Sequence, residues 1–261
     1  MTDLDYTPVE MMTIAAARGL TGQTVCFVGI GIPSAAANLA RLTHAPDVVL
    51  IYESGTIGAK PRVLPLSIGD GELAETADTV VSVPEIFRYW LQGGHVDVGF
   101  LGAAQIDRFG RINTTVIGGS YEQPKLRLPG AGGAPEIATS AKEVWIVLKQ
   151  SKRSFVEEVS FVTSSGFVER PVGNPRARGR GQTTVVTDLC VMRSDPATHE
   201  LVLVDLHPGV AIEQVLQETG WPLKVADRVG QTESPTAHEL HVLRDLHERT
   251  VRAHGTDAGG E

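Results

Sequence analysis

An apolar run at residues 48–52 (VVLIY) ends in a carboxylate, Glu53, and the chain turns at once through Ser54-Gly55. Carboxylates at the C-terminal ends of parallel strands stand where open α/β sheets hold their ligands. A glutamate there serves as an ion-pair partner, a general base or a nucleophile. One carboxylate is not a constellation, so spacing leaves a structural turn acid open beside catalysis. The small residues Ser54, Gly55 and Gly58 would leave room for a bulky substrate.

A second group is Leu128 to Ala134 (LPGAGGA), with Gly130, Gly132 and Gly133 within four positions. Such a backbone brings N–H groups against a ligand oxygen without interference from Cβ atoms, and its bland alternative is a flexible turn. Lys125 and Arg127 stand just before it. They suit an anionic substrate, and they suit equally a solvated surface pair. Third, in LGAAQIDRFGRINT turn chemistry explains Asp107 and Gly110. It does not explain Gln105, which becomes a candidate for substrate contact.

Two further patterns are weaker. Gly29 to Ser34 (GIGIPS) is a partial dinucleotide fingerprint whose third glycine is a serine, and a tight strand-to-helix turn accounts for it as well. His207-Pro208-Gly209 places a histidine at another such turn, where a hydrogen-bonded loop residue is the ordinary reading. With no GxSxG in the chain, no Ser/His/Asp triad is supported.

The elements that would position these groups follow from hydrophobic pattern. Helices are expected at Glu10–Arg18, after Thr7-Pro8, and at 34–42, 84–92 and 211–219. Strands are expected at 24–28, 48–52, 96–101, 144–148, 159–163, 183–186 and 201–206. Strand, glycine turn and helix alternate in the first half, and strands crowd the second. The expected fold is therefore α/β, an open, mainly parallel but mixed sheet with helices on both faces. Gly173–Gly181 (GNPRARGRG) reads as an exposed loop. Residues 1–250 are expected to form one domain and 251–261 a disordered tail.

Totals exclude several classes. The net charge of −8 argues against nucleic acid, whose phosphates require a basic face. No window approaches the roughly 18 apolar residues of a membrane span, and the acidic N-terminus is unlike a signal peptide, so a cytoplasmic location is expected. Cys26 and Cys190 lie in apolar runs and read as buried small hydrophobes; with no CxxC or HExxH, no metal site is expected.

Taken together, YESGTIGAKP, GAAQIDRFGRINTT and PGAGGAPEIA, with VCFVGIGIPSAAANLARL, LSIGDGELAETADTV and FRYWLQGG, resemble the second (beta) subunit of the class I CoA transferases. The resemblance runs in order over most of the chain. It implies the CoA-transferase type of open α/β sheet and an obligate partner, the family's alpha chain, in a heterotetramer of two alpha and two beta chains. The family's nucleophilic glutamate in its E-[SN]-G motif falls on Glu53, and its GxGGA loop, which offers backbone amides to the reacting carbonyl oxygen, falls on Gly130–Ala134. The substrates implied are succinyl-CoA and a dicarboxylic acid, 3-oxoadipate ahead of glutaconate, as a step in the breakdown of aromatic compounds; a cation would hold the far carboxylate of that acid, with Lys60, Lys125 and Arg127 as candidates. No permanently bound cofactor is implied, since CoA enters as a thioester substrate. Some relatives lose the glutamate and become hydrolases, so Glu53 favours transfer.

Overall fold

The computed structural model describes residues 5–22, 24–166 and 182–255. The Gly173–Gly181 loop and the last six residues of the expected tail lie outside the described residues.

The chain begins with α1 (Pro8–Arg18), β1 (Val25–Val28), α2 (Ile32–Leu42) and β2 (Val49–Tyr52). A short excursion follows through β3 (Thr56–Ile57), α3 (Gly71–Glu75) and β4 (Thr79–Val80). A single turn, α4 (Val83–Glu85), then runs on as a π-helix over Ile86–Leu91. After β5 (Val98–Leu101) come two hairpins, β6 (Gln105–Ile106) with β7 (Ile112–Asn113) and β8 (Val116–Gly119) with β9 (Pro124–Arg127). The remainder is α5 (Ala134–Ser140), β10 (Glu143–Val147), β11 (Gln182–Val186), β12 (Cys190–Ser194), β13 (Leu201–Leu206), α6 (Ile212–Gln217), β14 (Lys224–Gln231) and α7 (Ala237–His254).

Ten strands form one mixed sheet in the order β14-β13-β12-β11-β10-β5-β1-β2-β3-β4. Its centre, β11-β10-β5-β1-β2, is parallel throughout, and antiparallel pairs lie outside it on both sides. Successive strand residues point to opposite faces. Cys26, Val28, Leu50, Tyr52, Phe100 and Trp145 therefore pack with α1, α2 and α7, whereas Phe27, Ile51, Leu101 and Ile146 pack with the π-helix, α5 and α6. Burial on both faces explains why these strands read as continuous apolar runs. Cys26 and Cys190 are free and buried, which raises both thiol pKa values, that of Cys190 to about 12.

Register decides where the site can lie. Val28 pairs with Tyr52, and Phe27 with Gly99, so β1, β2 and β5 reach their C-terminal ends side by side. The GIGIP turn, Glu53 and the segment after Leu101 leave the sheet at one edge.

Helices α1 and α7 are tied together by their own caps. Each begins with a capping box, Thr7 with Glu10 and Thr236 with Glu239. The Glu10 carboxylate also pairs with Arg244 at 2.6 Å, and Glu239 with Arg18 at 2.7 Å.

Beyond short elements and the strands β12 and β14, which were not expected, three differences matter. Residues 159–163 form no strand; the backbone instead docks on Ile112, whose carbonyl accepts from Thr163 N at 2.9 Å. The helix expected at 84–92 is mostly a π-helix. The long α7 was not expected at all, because its buried face is only Leu240, Leu243, Leu246 and Thr250 among many charges. It extends through His254 into the stretch expected as tail, and Gly255 caps it in the left-handed region.

Candidate active site

Tyr52 ends β2 fully buried, and its hydroxyl shares a 3.1 Å hydrogen bond with Ser34 Oγ and accepts from Asn38 Nδ2 at 3.3 Å. Burial pushes the phenol up to about 12, so it stays a neutral anchor between β2 and α2. The next residue, Glu53, is half-buried. Behind it the chain reverses sharply, with Gly55 N donating to Tyr52 O at 3.0 Å. Gly55 has φ +107°, and a Cβ there would lie 2.0 Å from Val81 O, so only glycine fits. The expectation that Gly55 and Gly58 make room for substrate is thus corrected: both face the backbone or side chains of residues 78–81.

Room beside the carboxylate comes from Gly133 instead. A Cβ on Gly133 would stand 3.0 Å from Glu53 Oε1 and 2.7 Å from Phe87 Cζ. The glycine loop is therefore pressed against the Glu53 side chain, although the two are 80 positions apart in the chain. They share a cleft of about 480 Å³, within the usual range for small-molecule sites. Its walls include Phe27, Ile30, Pro33, Phe100, Leu128 and Ile137, and the GIGIP turn forms one side. Among the described residues lining it, Glu53 carries the one ionisable side chain.

The loop amides divide into two sets. Gly130 N donates to Thr114 O at 2.8 Å and Ala134 N to Ala131 O at 3.0 Å, so these two of the expected amides are spent on holding the loop. Gly132 and Gly133 have N–H groups without an acceptor among the described residues, as does Ala131. Thr114 completes the clamp, its Oγ1 donating to Gly130 O at 2.8 Å. Thr114 escaped the sequence reading; its signal was a position shortly past the turn that holds Asp107, with nothing to show its partner sixteen residues on.

Gln105 is buried with its amide oxygen accepting from Asn113 Nδ2 at 2.8 Å and Ser160 N at 3.1 Å. It braces β6 against β7 and is not part of the cleft wall; its neighbour Ala104 is. Lys125 and Arg127 are exposed on β9 outside that wall. Arg127 lies over the Tyr121 ring at 5.0 Å and donates to Tyr121 O at 2.6 Å. Lys60 pairs with Asp78 at 2.5 Å. His207 is buried, its Nε2–H donating to Thr187 O at 2.8 Å and its Nδ1 accepting from Thr232 Oγ1 at 2.8 Å. Burial lowers its pKa, and both ring nitrogens are used, which is the hydrogen-bonded loop reading.

The coenzyme A transferase profile covers residues 9–218. The chain belongs to the coenzyme A transferase family. CoA transfer is accordingly its reaction class. The chain is 62% identical to the B-type chain of 3-oxoadipate CoA-transferase from Pseudomonas knackmussii, over 98% of this chain and 99% of that one. It is 32% identical to the B-type chain of glutaconate CoA-transferase from Acidaminococcus fermentans, over 92% of each. The crystal structure of that glutaconate enzyme superposes with a TM-score of 0.83 at 30% identity, covering 92% of this transferase chain and 94% of the other. The cholesterol ring-cleaving hydrolase IpdB subunit of Rhodococcus jostii is 30% identical over 94% of each chain. No helix among the described residues of this transferase is long and apolar enough to cross a membrane.

Proposed function

We propose that this chain is the nucleophile-bearing B-type member of a two-subunit transferase that moves CoA from succinyl-CoA to 3-oxoadipate, paired with an A-type chain in a heterotetramer of two of each. The observation that carries the reading is the contact of the Glu53 carboxylate with Gly133, in a cleft whose loop keeps amides unused. The high identity to a 3-oxoadipate enzyme supports the acceptor.

In this mechanism a Glu53 oxygen attacks the succinyl thioester carbonyl, the C–S bond breaks, and CoA leaves as thiolate from a succinyl-glutamyl anhydride. The thiolate attacks the glutamyl carbonyl and expels succinate, leaving CoA as a thioester on Glu53. A 3-oxoadipate carboxylate then repeats the two steps in reverse order and departs as 3-oxoadipyl-CoA, restoring Glu53. Splitting the exchange into covalent steps keeps the thioester energy and needs neither metal nor ATP. Each step passes through a tetrahedral oxyanion, for which the Gly132 and Gly133 amides are the donors; one such donor is worth about 3 kcal/mol. The apolar cleft walls limit water around the carboxylate and its esters.

The test uses the complex of this chain with its A-type partner. Incubation with succinyl-CoA followed by borohydride, which reduces the thioester to an alcohol, should change the mass of the peptide carrying Glu53, and Glu53→Ala should abolish transfer. Full turnover by Glu53→Ala would refute the mechanism. Release of free acid with no dependence on an acceptor would favour the hydrolase reading, which the hydrolase relative keeps in view.

A further inference from the structure

Phe87 has no assigned role, yet it stands beside the carboxylate. Its Cζ and Cε1 would lie 2.7 and 2.9 Å from a Cβ on Gly133, the same point that is 3.0 Å from Glu53 Oε1. Ring tip and carboxylate oxygen thus both border the small space that a side chain on Gly133 would fill. Phe87 is not in the cleft wall. It packs on Phe27, which is, with ring centroids 5.9 Å apart. The ring therefore closes a flank of Glu53 other than the one open to the cleft.

The backbone at Phe87 is unusual in a way that serves this placement. Gln92 N donates to Phe87 O at 2.8 Å, an i→i+5 bond, within a π-helix. π-Helical turns are rare and concentrate at functional sites. Ile86 and Leu91 are both fully buried although five positions apart, a spacing that an α-helix would swing to different faces and a π turn keeps on one. Ser82, Glu85, Arg88 and Tyr89 on the same segment are exposed, and Phe87 itself is half-buried.

We infer that Phe87 is a positioning residue that seals the outer flank of Glu53 against water, so that the glutamyl thioester meets an acceptor carboxylate before it meets water. This rests on the nucleophile reading of Glu53. The reaction it suppresses is balanced hydrolysis: water oxygen attacks the glutamyl carbonyl, the C–S bond breaks, the thiolate takes one water proton, and Glu53 is restored as carboxylate with release of the other.

The experiment measures, in the complex with the A-type chain, CoA released as free thiol per CoA transferred to acceptor. Unfolded molecules contribute to neither product, so this ratio is insensitive to partial unfolding. Phe87→Ala should raise it about tenfold or more by admitting water, and Phe87→Leu, which keeps apolar bulk, should raise it less. An unchanged ratio in Phe87→Ala, or equal leakage in both variants, would overturn the inference while leaving Glu53 as nucleophile. Absence of a borohydride-reduced Glu53 in the unsubstituted complex would overturn both readings together.

Discussion

Gly133→Ala separates a glycine required for space from one required for backbone conformation. Gly133 has φ −84° and ψ −1°, ordinary right-handed values that alanine adopts freely. The added methyl would nevertheless lie 2.7 Å and 2.9 Å from two ring carbons of Phe87 and 3.0 Å from Glu53 Oε1. Carbon–carbon contacts settle at about 3.5–4.0 Å, so the ring must yield by close to an ångström and the carboxylate by a few tenths. Overpacking of this kind costs about 1–3 kcal/mol, partly offset by the ~0.4–1 kcal/mol that alanine gains through the unfolded chain. The melting temperature should therefore fall by only a few degrees, at about 2–4 °C per kcal/mol for a chain of this size. Catalysis should also fall, by several-fold, because a misplacement of about 1 Å costs on the order of a hundredfold in rate and the carboxylate shifts by a few tenths of that. The assay is steady-state transfer by the purified complex, with thermal melting and co-elution of the two chains measured on the same preparation. Full turnover, or a rate loss no larger than the loss of folded complex, would refute the packing argument. At Gly132, with φ +50° and no atom within 4 Å of a Cβ, alanine should cost about 1 kcal/mol of stability and leave the Glu53 geometry intact.

Thr114→Val removes the hydroxyl that donates to Gly130 O while keeping shape. It should cost about 1 kcal/mol of stability and, by loosening the glycine loop, several-fold in kcat, read from kinetics with a melting curve as control. A kcat equal to that of the unsubstituted complex would mean that the loop holds its geometry without the clamp. Acid should erode stability in two stages. Burial lowers the His207 pKa, so its contribution is complete above about 6.5, the unfolded histidine value, and declines as pH falls below that. At Glu239 burial raises the pKa, but Arg18 and the Thr236 cap outweigh it and hold it at about 2. That contribution is present above the unfolded glutamate value near 4.3 and is lost as pH falls toward about 2. Glu239→Gln should flatten the lower stage of a melting-temperature profile; an unaltered profile would show that the α1–α7 pairing does not govern acid stability.

Local pattern carries part of this protein and stops where distance in the chain begins. The parallel centre of the sheet was legible because strands buried on both faces must be apolar throughout, as 25–28 and 49–52 are. The sharp turn behind Glu53 was legible because Gly55 has few other uses there. The helix at 84–92 was legible from its apolar spacing but its π geometry was not, and α7 was missed because a helix with one narrow leucine stripe reads as surface. The cation candidates show the limit most clearly, since Lys125, Arg127 and Lys60 are charges near the right motifs that stand outside the cleft, with Arg127 held by Tyr121 and Lys60 by Asp78.

The sequence by itself determined that a glutamate would close a buried strand and that a run of glycines would offer bare backbone, because residue type and immediate neighbours suffice for both. Only the tertiary structure decided that Gly133 lies against Glu53, that the Gly130 and Ala134 amides are already spent, and that Thr114 and Phe87 belong to the same site. Those facts depend on the register of β1, β2 and β5 and on the docking of a π turn, which are cooperative outcomes of packing and are written in no single stretch of chain.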